Sequence, residues 1–118
     1  MMKGTIELNG LKFHAFHGCF DHEREEGGEY IVDFSAALDI ERAARTDDLA
    51  DTVDLAAVYA LIDREMELPS NLIEHVAARI AAAVKSEFPQ LQSVTVKLTK
   101  LSPPLPGPAE SSSVTVTL

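Results

Sequence analysis

The chain has 118 residues, enough for one domain with a single core, and 46% hydrophobic with 25% charged residues is ordinary globular composition rather than disorder. A formal net charge of −9, with no basic cluster to offset it, opposes phosphate backbones, so no nucleic-acid partner is expected. No apolar run approaches the roughly 20 residues that span a bilayer, so no membrane partner is expected either.

From Thr5 to Phe16 apolar residues alternate, with Ile6 and Leu8 on one parity and Leu11, Phe13 and Ala15 on the other. The slip falls at Asn9-Gly10 and predicts a strand carrying a one-residue bulge. Gly18–Gly28 reads as a polar loop closing on Gly27-Gly28. It holds the single cysteine, Cys19, which has no internal disulfide partner. Strand-like sequence begins directly after Gly4 with no visible signal peptide, and together these features predict a reducing cytoplasm. Tyr30–Ile40 alternates without a slip, placing Tyr30, Val32, Phe34, Ala36, Leu38 and Ile40 on one face, as in a half-buried antiparallel strand. A long-looped hairpin joins the two strands.

Asp47–Thr52 is rich in cap-type residues. Leu55, Val58, Tyr59, Ile62 and Met66 then follow helical spacing and read as one core-facing stripe. Pro69-Ser70-Asn71 breaks this helix and starts another, in which Leu72, Val76, Ile80 and Val84 line a stripe widened by Ile73, Ala77 and Ala81. Phe88-Pro89 ends it. Ser93–Leu101 returns to period two through Val94, Val96 and Leu98. A loop with Pro103, Pro104, Pro106 and Pro108 leads to a last strand at Val114, Val116 and Leu118. The expected class is α+β: a four-stranded antiparallel sheet with two helices packed on one face, in the order ββααββ, as one domain over 1–118. Such a sheet leaves its edges open, and open edges invite pairing with neighbouring subunits in a ring-like homo-oligomer.

Three positions carry possible chemistry. Lys100 shares the parity of Val94, Val96 and Leu98, so its stem points to the apolar side of the sheet at the strand's end. There it is a candidate proton carrier, or a frayed lysine whose ammonium reaches water. Glu74 follows Asn71 by three residues. That spacing is either a capping box or a carboxylate offered to the N–H groups of a flat ligand. Glu23 lies among His22, Arg24, Glu25 and Glu26, where spacing singles out no one carboxylate. His14, His17 and His22 could suggest zinc, but His14 and His17 have opposite parity, and no metal is expected.

Collinear motifs go further. Ile6-Glu7-Leu8-Asn9-Gly10-Leu11, His17-Gly18 before Glu23, Thr46-Asp47-Asp48, Asp51-Thr52-Val53, Asn71-Leu72-Ile73-Glu74-His75 and Thr99-Lys100-Leu101-Ser102-Pro103-Pro104 together resemble the dihydroneopterin aldolase family. The resemblance implies four-stranded sheets of several subunits joined into a barrel, as a tetrameric ring or stacked octamer with sites between subunits. It implies retro-aldol cleavage of 7,8-dihydroneopterin in folate synthesis, often with epimerisation, and no cofactor. In that pattern Lys100 and Glu23 are catalytic and Glu74 grips the pterin, aided by the backbone at Ile73. Thr52 and Val53 face the pterin of a neighbouring subunit. At Leu55 the chain departs, because the family places a proton-relaying tyrosine there. This departure keeps open a pterin-binding homologue with epimerisation alone, an oxygen-dependent outcome, or little catalysis.

Overall fold

Alternating apolar residues form a ladder only if strands pair in register, and a computed structural model describing all residues, Met1–Leu118, gives that register. Strands β1 (Lys3–Ala15), β2 (Gly28–Asp39), β3 (Ser93–Leu101) and β4 (Ser111–Thr117) form one antiparallel sheet in the order β1-β2-β3-β4. The β1–β2 register shifts between Leu8 and Leu11, at the site where the side-chain parity slips. Gly10 takes φ +69° there, and its N–H donates to the Asp33 carboxylate at 2.8 Å. The bulge thus has both the residue that tolerates its backbone and an acceptor for its freed donor.

Helices α3 (Leu55–Met66) and α4 (Ile73–Glu87) supply most of the cover. Val32, Phe34, Val94, Val96 and Leu98 of the sheet meet Val58, Ile62, Val76, Ile80 and Val84 of these helices in one core. Each such side chain contributes roughly 1.5–3 kcal/mol on burial. Arg79 ties the turn between the two helices, donating to the Ser70 hydroxyl at 2.7 Å and to the Glu65 carbonyl at 2.8 Å.

The structure corrects several sequence expectations. The polar loop after β1 contains a short helix, α1 (Asp21–Glu26), and another, α2 (Glu41–Thr46), follows β2. Residues Leu49–Asp51 form a 3-10 turn. None of these is long enough to display a period, so alternation could not reveal them. The N-cap of α4 is Leu72 rather than Asn71, no side chain caps that helix, and Leu72 is 50% exposed instead of lying on the core stripe. Tyr59 is likewise 43% exposed, stacked at 6.0 Å on Phe13 rather than inside the core.

Candidate active site

The segment leaving β1 is pinned before it reaches any functional side chain. The Gly18 N–H donates to the Ser70 carbonyl at 2.8 Å, and the buried Tyr30 hydroxyl donates to the His17 carbonyl at 2.6 Å. Burial pushes the Tyr30 phenol up to about 12, so it stays a donor. Arg24 adds a second tie. It donates to the Gly18 carbonyl at 2.6 Å and to the Asn71 side chain at 3.3 Å, and it pairs with Asp21. Helix α1 is thereby fastened to the residues that open α4.

This fastening places Glu23 inside the protein, only 9% exposed. One carboxylate oxygen accepts from the Phe20 N–H at 3.4 Å, half of a capping box, since phenylalanine has no acceptor to return. The other oxygen pairs with the Lys100 ammonium, whose side chain is 15% exposed. The parity argument for Lys100 holds, with its stem on the covered side of the sheet and its head on an acid rather than in water. Gly18 makes room for this acid. Its φ is +153°, and a Cβ there would run into the Glu23 carboxyl group.

Lys100, Glu23, Ile73 and Glu74 line one cavity of about 540 Å³. Its volume lies within the roughly 300–1,000 Å³ typical of small-molecule sites. With Leu72 as N-cap and Asn71 bound to Arg24, the capping-box reading of Glu74 fails. Its carboxylate sits exposed in the first turn of α4, where the helix dipole favours negative charge. Phe20, Leu72 and Leu105, each half exposed or more, line the same cavity and give it apolar walls.

Thr52, Val53 and Leu55 do not line this cavity within one chain. Val53 is buried in the core and Leu55 packs against it, at the entry to α3. Of the three histidines weighed as zinc ligands, His14 stands apart, while His17 and His22 line a smaller cavity of about 210 Å³ that shares Glu23 and Lys100 with the large one. His14 pairs with Glu29 at 2.6 Å on the surface, and that hydrogen bond raises its proton affinity. His22 stacks on Phe20.

His17 is fully buried, edge-on to Tyr30 at 5.2 Å, and neither ring nitrogen has a hydrogen-bond partner. Burial lowers its pKa to about 4, helped by the positive charges of Arg79 and Lys100 and opposed in part by the Met66 backbone. Sequence reasoning weighed the His17 side chain only as a zinc ligand and otherwise used the residue only as part of a shared motif. Nothing in its spacing signals a neutral imidazole beneath the Lys100–Glu23 pair. Cys19, Phe20 and Leu72 were also missed as cavity walls, because their places depend on α1 and on the Arg24 ties.

A model of the dihydroneopterin aldolase family matches residues 6–117. The chain is 36% identical over 113 residues to a dihydroneopterin aldolase of Bacillus subtilis, covering 95% of this chain and 94% of the relative. It is 37% identical over 107 residues to one of Staphylococcus epidermidis, covering 90% and 88%. Its fold matches the crystal structure of Escherichia coli dihydroneopterin aldolase in complex with neopterin, with a TM-score of 0.89, 23% identity and 98% of both chains covered. A match over nearly the whole length, with the lysine and two acids of the shared motifs gathered at one cavity, shows that the chain belongs to the dihydroneopterin aldolase family of enzymes.

Proposed function

We propose that this chain cleaves 7,8-dihydroneopterin by a retro-aldol reaction to 6-hydroxymethyl-7,8-dihydropterin and glycolaldehyde. The observation that carries this reading is the shared cavity, whose walls include the paired Lys100 and Glu23 together with Glu74, a carboxylate that takes no part in a helix cap. Glu74 accepts two parallel N–H bonds from the flat edge of the pterin, as charge-assisted hydrogen bonds, and the Ile73 backbone adds a contact. The side chain then extends toward Lys100 and Glu23. A proton leaves the side-chain hydroxyl next to the breaking C–C bond, and that oxygen becomes the carbonyl of glycolaldehyde. The bonding electrons pass into the ring C=N group, which the dihydropterin itself supplies as electron sink. Reprotonation of the carbon left behind gives the hydroxymethyl product. Lys100 moves these protons and Glu23 orients both the ammonium and the hydroxyls.

The site is completed between subunits, with Thr52, Val53 and Leu55 of a neighbouring copy facing the pterin in a tetrameric ring or octamer. Both outer strands, β1 and β4, leave an edge unpaired for such joining. Purified protein incubated with 7,8-dihydroneopterin should release glycolaldehyde. Lys100→Ala should abolish release while pterin binding remains, and Glu74→Ala should weaken binding first. Cleavage persisting in Lys100→Ala at the wild-type rate would remove the lysine from the chemistry.

One observation favours a second reading. Leu55 stands where the family has its tyrosine, and neither tyrosine of this chain offers a free hydroxyl beside Lys100. The Tyr30 hydroxyl is bonded to the His17 carbonyl, and Tyr59 lines neither the large cavity nor the smaller one beside it. Slow protonation of the electron-rich intermediate would then leave time for epimerisation or for reaction with dioxygen. Leu55→Tyr should raise glycolaldehyde release by about tenfold or more, the lower range for one positioned acid. Equal products and rates under air and under nitrogen would exclude the oxygen-dependent outcome.

A further inference from the structure

Helix α1 carries Glu23, and the Arg24 ties hold that helix toward Gly18 and Asn71. Its far end meets a side chain of another element, His14 of β1. The His14 Nδ1 lies 2.6 Å from a Glu29 carboxylate oxygen, and its Nε2 lies 3.2 Å from the carbonyl of Glu26, the last residue of α1. Strand register sets this up, because His14 and Glu29 are direct partners in the β1–β2 ladder. Gly27 makes room for the ring. Its φ is +78°, and a Cβ there would come within 2.6 Å of Nε2.

Two acceptors and one ring decide the protonation state. An ionised carboxylate and a backbone carbonyl both only accept. A neutral imidazole carries one N–H and serves one of them, whereas an imidazolium serves both. A histidine cation is also favoured beside the last carbonyls of a helix. When the proton leaves, the remaining N–H stays with Glu29, since a bare ring nitrogen would face that carboxylate with like charge. The Glu26 carbonyl then loses its donor. The surroundings hold the proton: Glu29 comes from β2, Glu26 from α1, and Asp63 and Glu67 of α3 share a cavity of about 110 Å³ with the ring. Lys12, two residues away on the same face of β1, is the opposing charge, and Phe16 packs edge-on at 5.3 Å. The Glu29 hydrogen bond raises the His14 pKa above its ordinary 6.5, opposed by desolvation and aided by the Glu26 carbonyl.

Resting on the cleavage reading above, we propose that His14 is a positioning residue for that reaction: its imidazolium clips the end of α1 to the sheet and so sets the Glu23 carboxylate against Lys100. The path is short. Glu23 stands three residues before Glu26, and its carbonyl accepts from the Gly27 N–H at 3.1 Å. Gly27 itself lines the smaller cavity together with Glu23 and Lys100.

The His14 side chain is half exposed, so His14→Phe removes both donors and leaves the core in place. At about pH 6 this variant should lower kcat for 7,8-dihydroneopterin by about tenfold, less than the roughly 100-fold that a 1 Å misplacement can cost. The loss should shrink to less than about twofold near pH 9, where the wild-type ring has itself shed its proton. Lost packing alone would cost the same at every pH. A wild-type-to-variant ratio of one at about pH 6, or a ratio constant across the range, overturns the clip and leaves the cleavage reading standing. Should His14→Phe fail to fold, Glu29→Gln decides. Without the carboxylate the ring releases its proton sooner, so the alkaline fall in kcat should move to lower pH, and an unmoved fall overturns the clip. Amide exchange is read without turnover: at about pH 6 the Gly27 N–H should exchange about tenfold faster in His14→Phe than in wild type, and equal rates overturn the clip. Wild-type protein that cleaves no 7,8-dihydroneopterin overturns the cleavage reading, while the exchange rates still decide whether His14 holds α1.

Discussion

Glu23 has one oxygen on a backbone N–H and the other on an ammonium, and no spacing rule could have separated it from its acidic neighbours. Lys100 was different, since strand parity alone assigns it to the covered face. His17 shows the limit of such reasoning, for burial is a tertiary fact. Its depressed pKa also makes stability depend on pH. The unfolded chain binds a proton near pH 6.5 and the folded chain only near pH 4, so stability is full above the first value. It falls as pH drops through this window, by on the order of 3 kcal/mol if His17 alone is counted. Urea denaturation from pH 7 to pH 4 should show this loss, and His17→Phe should flatten the curve by a similar amount. Identical slopes for the two proteins would mean that His17 is not held neutral.

At the level of elements, the four strands and two long helices were legible because their apolar residues repeat with a period. Even the bulge was legible, as a change of parity at Asn9-Gly10. The short helices were not, and α1 is the one that matters, because it carries Glu23. Its position rests on Gly18 and on the Arg24 ties. Gly18→Ala should therefore do two things. Its backbone strain should cost about 1–3 kcal/mol of stability. Its methyl group should displace the Glu23 carboxylate, and a shift of about 1 Å at a catalytic group is enough to lower turnover by about 100-fold. Melting temperature and kcat measured together will separate the two effects. A destabilised variant with wild-type kcat would show that the acid finds its place without this glycine.

At the level of the whole molecule, the chain is long and thin, 52 × 23 × 20 Å. Its radius of gyration is 15.8 Å, whereas a compact domain of this length would have about 13–14 Å. A sheet with two open edges and so narrow a profile fits a chain completed by its neighbours. If sites form between copies, Lys100 of one chain works with Thr52 of another. Mixing inactive Lys100→Ala with an inactive Thr52→Arg should then restore activity at about one quarter of the sites, by random assortment around a ring. Absence of rescue after dissociation and reassembly would confine each site to one chain. The walls of the large cavity, meanwhile, come from residues 18–23, 71–74 and 100–114, three stretches far apart along the polypeptide. A chain still on the ribosome, with β1, β2 and both long helices released but β3 and β4 not yet synthesised, has two of these stretches and lacks the third, which carries Lys100. A small molecule that needs all three walls therefore stabilises finished chains in preference to growing ones.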